Sequence, residues 1–247
     1  MCAKLKYQFG IRTVPFVHRL WRKPLAAHSQ RILLDRDIFL ITSTVVPSET
    51  PLASSAKRSV FSAEERLDQT LASIASVRAK VPDALVVLLD NSDLGAVQVR
   101  ALQDAVDWLV LFDHDPESIR FRDHSNRGVG EAYMLRSMHD VLDSFRYRLL
   151  FKLSGRYRLS QQFSLEHFPR DRFGFLLRDG VASTRLYSVP ACLHHLYGRQ
   201  LAAAFVAGRF GVSIESAITR GLTSCQLQWL DFVGVSGHMA GGPWIDE

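Results

Sequence analysis

The chain of 247 residues is 47% hydrophobic and 22% charged, which excludes disorder and suits one large domain with a substantial core. Its net charge of +5 is scattered and accompanies no recognised motif, so nucleic acid is not an expected partner; a diphosphate, an acidic membrane surface or simply solvated arginine accounts for the excess. Cys2, Cys192 and Cys225 form no CxxC pair, which fits a reducing compartment without a zinc site or disulfide framework, and no apolar run approaches the roughly 20 residues that cross a bilayer, so a cytoplasmic protein without a secretory signal is expected.

Residues 1–36 read as a basic arm, with Arg19, Arg22, Lys23 and Arg31 mixed among Phe16, Leu20, Trp21 and Leu25. Such a mixture suits peripheral contact with a membrane or packing on the chain itself, and Pro15 and Pro24 argue against one continuous helix. From Asp37 strands and helices alternate. Ile38–Thr42 predicts a buried strand, and the Pro- and Ser-rich stretch 46–59 predicts a long loop. Ser62 and Glu65 form a capping box, after which Leu67, Leu71, Ile74 and Val77 recur at helical spacing until Pro82, giving a helix over Ala63–Lys80. A second strand is expected at Ala84–Leu89, a helix at Val97–Val106 and a third strand at Trp108–Phe112. Gly128 and Gly130 open a helix with Leu135, Met138, Leu142 and Phe145 on one face, and Tyr147–Leu153 is the fourth strand. Strands apolar throughout, separated by amphipathic helices, predict an α/β fold: a Rossmann-like, mostly parallel sheet with helices on both faces. Beyond Ser160 the pattern loosens, with a strand at Phe173–Leu177, helices at Pro190–Phe205 and Ile214–Leu222, and an apolar strand at Leu227–Val235.

In such sheets ligands bind at the carboxyl ends of the strands, and those ends are polar here. The first carries Thr42-Ser43-Thr44, the second Asp90-Asn91-Ser92, the third leads to the stretch from His124 through Asn126 and Gly128 to Ala132, and the fourth to Lys152-Leu153-Ser154-Gly155-Arg156-Tyr157. A helix opening at Gly128 presents N–H groups and a positive dipole end to an anion, and Arg58 and Arg66 flank the first helix. Cationic side chains with free N–H groups suit a diphosphate, and Asp90 suits a base or ribose hydroxyl. Singly, each of these has an ordinary turn reading as well.

The order of these elements, with an Asp-x-Ser strand end and Asn126-x-Gly128 followed by Ala132, resembles a GT-A glycosyltransferase over Ile38–Tyr157. Two blocks are similar to a small bacterial and viral group of glycosyltransferase-like proteins: Lys152-x-Ser154-Gly155-Arg156-Tyr157, and Arg58-Ser59 followed by Glu65-Arg66 and Gln69-Thr70. The resemblance implies one GT-A-like domain over residues 37–247, with a nucleotide-sugar-binding half to residue 160 and an acceptor-side half from 161. It implies that Thr42, Thr44, Arg58, Arg66, Asp90 and Ser92 hold the nucleotide, and that Asn126, Gly128, Lys152, Ser154, Gly155 and Arg156 hold the diphosphate and sugar. The family's fourth strand ends in an Asp-x-Asp that binds a divalent metal, whereas this chain has Lys152-Leu153-Ser154 there. Lysine cannot ligate magnesium but neutralises phosphate, so no cofactor is required and a metal-independent transferase is expected. Asp113-His114-Asp115 precedes the Asn-x-Gly element, one unit too early for the family's metal site.

An acceptor hydroxyl needs a carboxylate base. The resemblance places one at the start of a later helix, where Glu215 stands, with Asp231 the rival inside its apolar strand. Thr184 to Tyr187 would line the acceptor pocket, with Tyr187 as a stacking platform, and His238 would close over the diphosphate. The expected activity is transfer of a sugar from a nucleoside diphosphate sugar to a hydroxyl on a glycan or lipid-linked precursor. The alternatives are a non-catalytic glycan-binding or assembly module of the same fold, and a sugar nucleotidyltransferase.

Overall fold

Strands that are apolar at every position need cover on both faces, and the computed structural model supplies it. The structure describes residues 19–22, 36–53, 55–142, 145 and 147–247, so most of the basic arm lies outside the described residues. In chain order the elements are β1 (Arg19–Arg22), β2 (Ile38–Ser43), α1 (Ala63–Lys80), β3 (Leu85–Asp90), α2 (Ala96–Ala105), β4 (Trp108–Leu111), α3 (Pro116–Arg122), α4 (Gly128–Leu142), β5 (Leu149–Ser154) and β6 (Tyr157–Leu159). They continue with β7 (Phe173–Arg178), β8 (Val181–Pro190), α5 (His194–Arg209), α6 (Ile214–Ala217), β9 (Leu227–Leu230), β10 (Val235–His238) and β11 (Trp244–Asp246).

Among the described residues, eight strands form one sheet in the order β1-β4-β3-β2-β5-β8-β7-β9. The central β4, β3, β2 and β5 run parallel, β9 runs parallel to β7, and β1 and β8 enter antiparallel. Alternate strand residues point to opposite faces, so Ile38 and Leu40 join one core beneath α4 and α5. Phe39 and Ile41 join the other, beneath α1 and α2. The chain is therefore α/β with helices on both faces. Among the described residues no helix is long and apolar enough to cross a membrane.

α1 begins where its capping box lies: Ser62 Oγ accepts from the Glu65 amide at 3.2 Å, and Glu65 Oε2 from the Ser62 amide at 2.7 Å. Replacing Ser62 by alanine removes half of this reciprocal cap and is expected to cost about 1 kcal/mol, read as a lower urea midpoint at unchanged slope.

The later half departs from the sequence reading. The ten-residue β8 was not expected, and Pro190 closes that strand rather than opening a helix, so α5 starts at His194. The apolar run 227–235 splits into β9 and β10, placed in different sheets. Between them Gly234 adopts φ 75°, and a Cβ there would meet Phe163 Cα at 2.5 Å. β10 pairs with β6 and β11 in a small second sheet, which packs on the α1 side of the main sheet.

Candidate functional site

From β2 the chain moves outward on one side to β3 and β4, and only then returns to place β5 on the other side. That reversal opens a crevice at the carboxyl ends of β2 and β5. A cavity of about 740 Å³, counted with its open mouth, occupies it. Thr42, Ser43 and Thr44 form one wall and Ser154, Gly155 and Arg156 the other, with Arg58 and Arg66 closing the α1 side. The turn after β5 hugs β2: the Gly155 amide donates to the Thr42 carbonyl at 2.8 Å, and a Cβ at Gly155 would lie 3.1 Å from that oxygen.

Among the described residues, five arginines line this cavity: Arg58, Arg66, Arg122, Arg127 and Arg156. Arg66 is buried, with Nε donating to the Thr44 carbonyl at 2.6 Å. Burial, and then the charge of Arg156, pull its pKa down to about 10. Arg58 is fixed by the Thr50 and His124 carbonyls at 2.7 and 2.5 Å, and burial lowers its pKa too, with Asp123 opposing and Arg127 and Arg122 adding to the shift. Arg156 is lowered chiefly by burial. Arg122 is ion-paired with Asp123 at 2.8 Å. Partly desolvated, mutually repelling guanidinium groups are chemically suited to an anion of more than one charge, and their planar forks match phosphate oxygens.

Among the described residues, the one carboxylate lining this cavity is Glu131, in the first turn of α4. Its Oε1 accepts from the Thr42 hydroxyl at 3.0 Å and is ion-paired with Lys152. Lys152 has no exposed surface, and its ammonium also reaches Ser154 Oγ and the Thr184 carbonyl, both at 2.6 Å. Contrary to the sequence reading, Lys152 is therefore no direct ligand of a diphosphate. It lies beneath the cavity floor and neutralises Glu131 from below.

The residues do not fit the divalent metal that the GT-A resemblance implies. Lys152 occupies the strand end where that family's acidic pair would stand and is ion-paired with Glu131, and no three His, Cys, Asp or Glu side chains converge among the described residues. Asp115 instead caps α3, accepting from the Glu117 amide at 3.0 Å and the Tyr133 hydroxyl at 2.5 Å.

Other expected residues are placed elsewhere. Asp90 and Ser92 are wholly buried and do not reach the cavity. Asp90 Oδ2 accepts from the Val45 amide at 3.0 Å, and Oδ1 from the Ser92 amide at 2.8 Å and the Ser92 hydroxyl. Burial raises the Asp90 pKa against these bonds. Neighbouring Asn91 faces the cavity instead, its Oδ1 held by the Thr44 hydroxyl at 2.7 Å. Asn126 ties the start of α4 to the end of α5, donating to the Gly208 and Val212 carbonyls at 3.0 and 2.8 Å. Gly128 lets α4 pack on α6, since a Cβ there would approach Ile214 Cγ2 to 3.0 Å. Both line a second cavity rather than the first.

This second, broader basin of about 1840 Å³ lies between α4, β8 and α6. Glu215 lines it, accepting from the Thr184 hydroxyl at 3.3 Å. Tyr157 and Arg185 form another side, with Arg185 Nε donating to the Tyr157 hydroxyl at 3.3 Å. Arg185 and Arg178 share Glu247. Asp231 lies on the exposed turn after β9 and lines neither cavity, so it is no candidate base. Tyr187 is no stacking platform but a core residue, stacked on Phe175 at 4.5 Å and bonded to the Tyr197 hydroxyl at 2.8 Å. His238 bonds the Gly242 carbonyl at 2.7 Å and lines neither cavity, although its neighbours Met239 and Ala240 line the second. The two cavities share Arg127, Glu131, Ser154 and Arg156. The sequence reading gives no individual role to Arg122, Asn91, Arg127 or Glu131. The signal for the last two was their place inside the polar Asn126–Ala132 block.

No protein-family model matches the chain, and no curated protein matches its sequence. Among solved structures, similarity extends to the apo form of the bifunctional glycosyltransferase WbbM, at 8% identity and a TM-score of 0.47, covering 79% of this chain and 38% of that one. The CTP:phosphocholine cytidylyltransferase LicC of Streptococcus pneumoniae is similar at 11% identity and a TM-score of 0.46, covering 84% and 94% of the two chains. Mouse xyloside xylosyltransferase 1 in its apo form is similar at 8% identity and a TM-score of 0.42, covering 79% and 85%.

Proposed function

We propose that this chain is a glycosyltransferase that moves a sugar from a nucleoside diphosphate sugar to a hydroxyl acceptor. The observation that carries this reading is the five-arginine cleft at the switch point of the sheet, joined through a common wall to a second, open basin. The diphosphate lies among Arg58, Arg66, Arg127 and Arg156, and the base and ribose lie over Thr44 and Asn91. The acceptor, a glycan or lipid-linked precursor, enters the basin lined by Tyr157, Arg185 and Glu215. Guanidinium groups, which need no ion to neutralise a departing diphosphate, stabilise the leaving charge.

The same excess of positive charge favours a second reading, nucleotidyl transfer, because a nucleoside triphosphate brings still more anionic oxygen. A thermal-shift screen separates the two. UDP-, GDP- and dTDP-sugars, CMP-sugars and nucleoside triphosphates are added with and without manganese. A ligand at 100 times its Kd stabilises the folded state by about 2.7 kcal/mol. At least one nucleoside diphosphate sugar is expected to raise Tm equally with and without manganese, and CMP-sugars less so. A shift confined to triphosphates would favour nucleotidyl transfer, a shift that needs manganese would overturn the metal-free site, and no shift at all would leave a non-catalytic module.

A further inference from the structure

If the donor fills the first cavity and the acceptor the second, the bond must form at the wall they share. Four side-chain-bearing positions belong to both linings: Arg127, Glu131, Ser154 and Arg156. Guanidinium groups do not take protons at neutral pH. The Ser154 hydroxyl is engaged with Lys152 Nζ at 2.6 Å and leans on the Thr184 carbonyl at 3.4 Å. That leaves Glu131. Its Oε1 is anchored from two sides by Thr42 and Lys152, while its Oε2 has no hydrogen-bond partner among the described residues. The side chain is 20% exposed, so it is both fixed and reachable. Glu215 and Asp179 line the second basin only, which places them beside an acceptor but away from the sugar carbon it attacks.

Resting on the transfer reading, we propose that Glu131 is the catalytic base. Its Oε2 takes the proton of the acceptor hydroxyl while the acceptor oxygen bonds to the anomeric carbon. The bond from that carbon to the diphosphate oxygen breaks, and its electron pair leaves on the nucleoside diphosphate toward Arg66 and Arg156. One bond forms and one breaks at carbon, and one proton moves from oxygen to carboxylate. Lys152 touches neither substrate and is a positioning residue: it fixes the rotamer of Glu131 so that one oxygen is bound and the other is presented. Glu215, holding the Thr184 hydroxyl, orients the acceptor.

The test compares wild type with Glu131→Gln, Glu131→Asp and Glu215→Gln, using whichever donor binds. Donor affinity, read by thermal shift, is expected to stay within about twofold in Glu131→Gln. Its kcat falls by roughly a hundredfold or more, and the acidic limb of kcat/KM against pH disappears. Glu131→Asp, which keeps the charge facing Lys152, retains that limb at reduced kcat. Glu215→Gln is expected to raise the acceptor KM with kcat changed less than tenfold and the limb intact. A Glu131→Gln enzyme within tenfold of wild type with its acidic limb intact overturns the proposal, as does loss of that limb in Glu215→Gln. A trapped glycosyl-enzyme at Glu131 with retained anomeric configuration overturns it too, since the carboxylate would then be the nucleophile. Those outcomes leave the transfer reading standing. A wild-type chain that neither binds nor turns over any donor removes both together.

Discussion

Replacing Lys152 by methionine is expected to lower the stability of the fold by about 3 kcal/mol. Lys152 is fully buried, and its three ammonium protons meet three acceptors: Ser154 Oγ, the Thr184 carbonyl and Glu131. Methionine keeps much of the length and apolar contact but leaves the Glu131 carboxylate without its counter-charge and the Thr184 carbonyl without a donor. Removing one partner of a buried ion pair typically costs about 3–5 kcal/mol, and the lower end applies because Glu131 retains some contact with water. Urea unfolding should show a lower midpoint at unchanged slope. The double variant Lys152→Met with Glu131→Gln should recover more than half of the loss, since it leaves no uncompensated charge. A single variant less than about 1 kcal/mol below wild type would mean that the pair contributes little.

The Arg156→Ala variant should show effects of opposite sign on ligand binding and on the empty protein. A hydrogen bond to a charged group contributes about 1.5–3 kcal/mol, and about 1.4 kcal/mol corresponds to tenfold in affinity. Nucleotide-sugar binding is therefore expected to weaken by roughly ten- to a hundredfold, measured by calorimetric titration. The empty protein is expected to melt no lower than wild type, and in low salt slightly higher. Arg156 forms no ion pair or hydrogen bond among the described residues, and its charge helps to depress Arg66. Removing it relieves a repulsion that a bound diphosphate would otherwise offset, the usual relation between a prepared site and its stability. A variant that melts lower and binds the donor unchanged would assign Arg156 to packing on Tyr157, over whose ring it lies at 5.8 Å.

The parts of the fold legible in the sequence are those in which one local rule acts alone. Ile38–Ile41 and Leu85–Leu89 are continuous apolar runs because both faces of the central strands are covered, and the Ser62–Glu65 box marked the start of α1 to the residue. β8 was hidden because Ser183, Thr184 and Ser188 interrupt its apolar character although all three are buried. The Ser183 hydroxyl reaches Glu247, 64 positions away, at 3.1 Å, a partner that no local pattern announces.

The site shows the same division. Lys152 and Ser154 share a strand face two residues apart, but each residue of a strand advances about 3.3 Å. Ser154 therefore reaches the cavity, while Lys152 sits one pleat deeper and touches it only through Ser154 and Glu131. Asp90 ends its strand beside the exit of β2, and the parallel pairing of Ser43 with Asp90 brings the Val45 amide within its reach. That partner follows from register, which the sequence of β3 alone does not contain.

The first cavity is lined entirely by residues 42–156, whereas the second draws on residues 52–240 and takes half of its wall from positions after 178. Insertions or replacements in the chain beyond Arg178 can therefore reshape the basin while the arginine cleft keeps every one of its lining groups. One lining can diverge while the other is held constant.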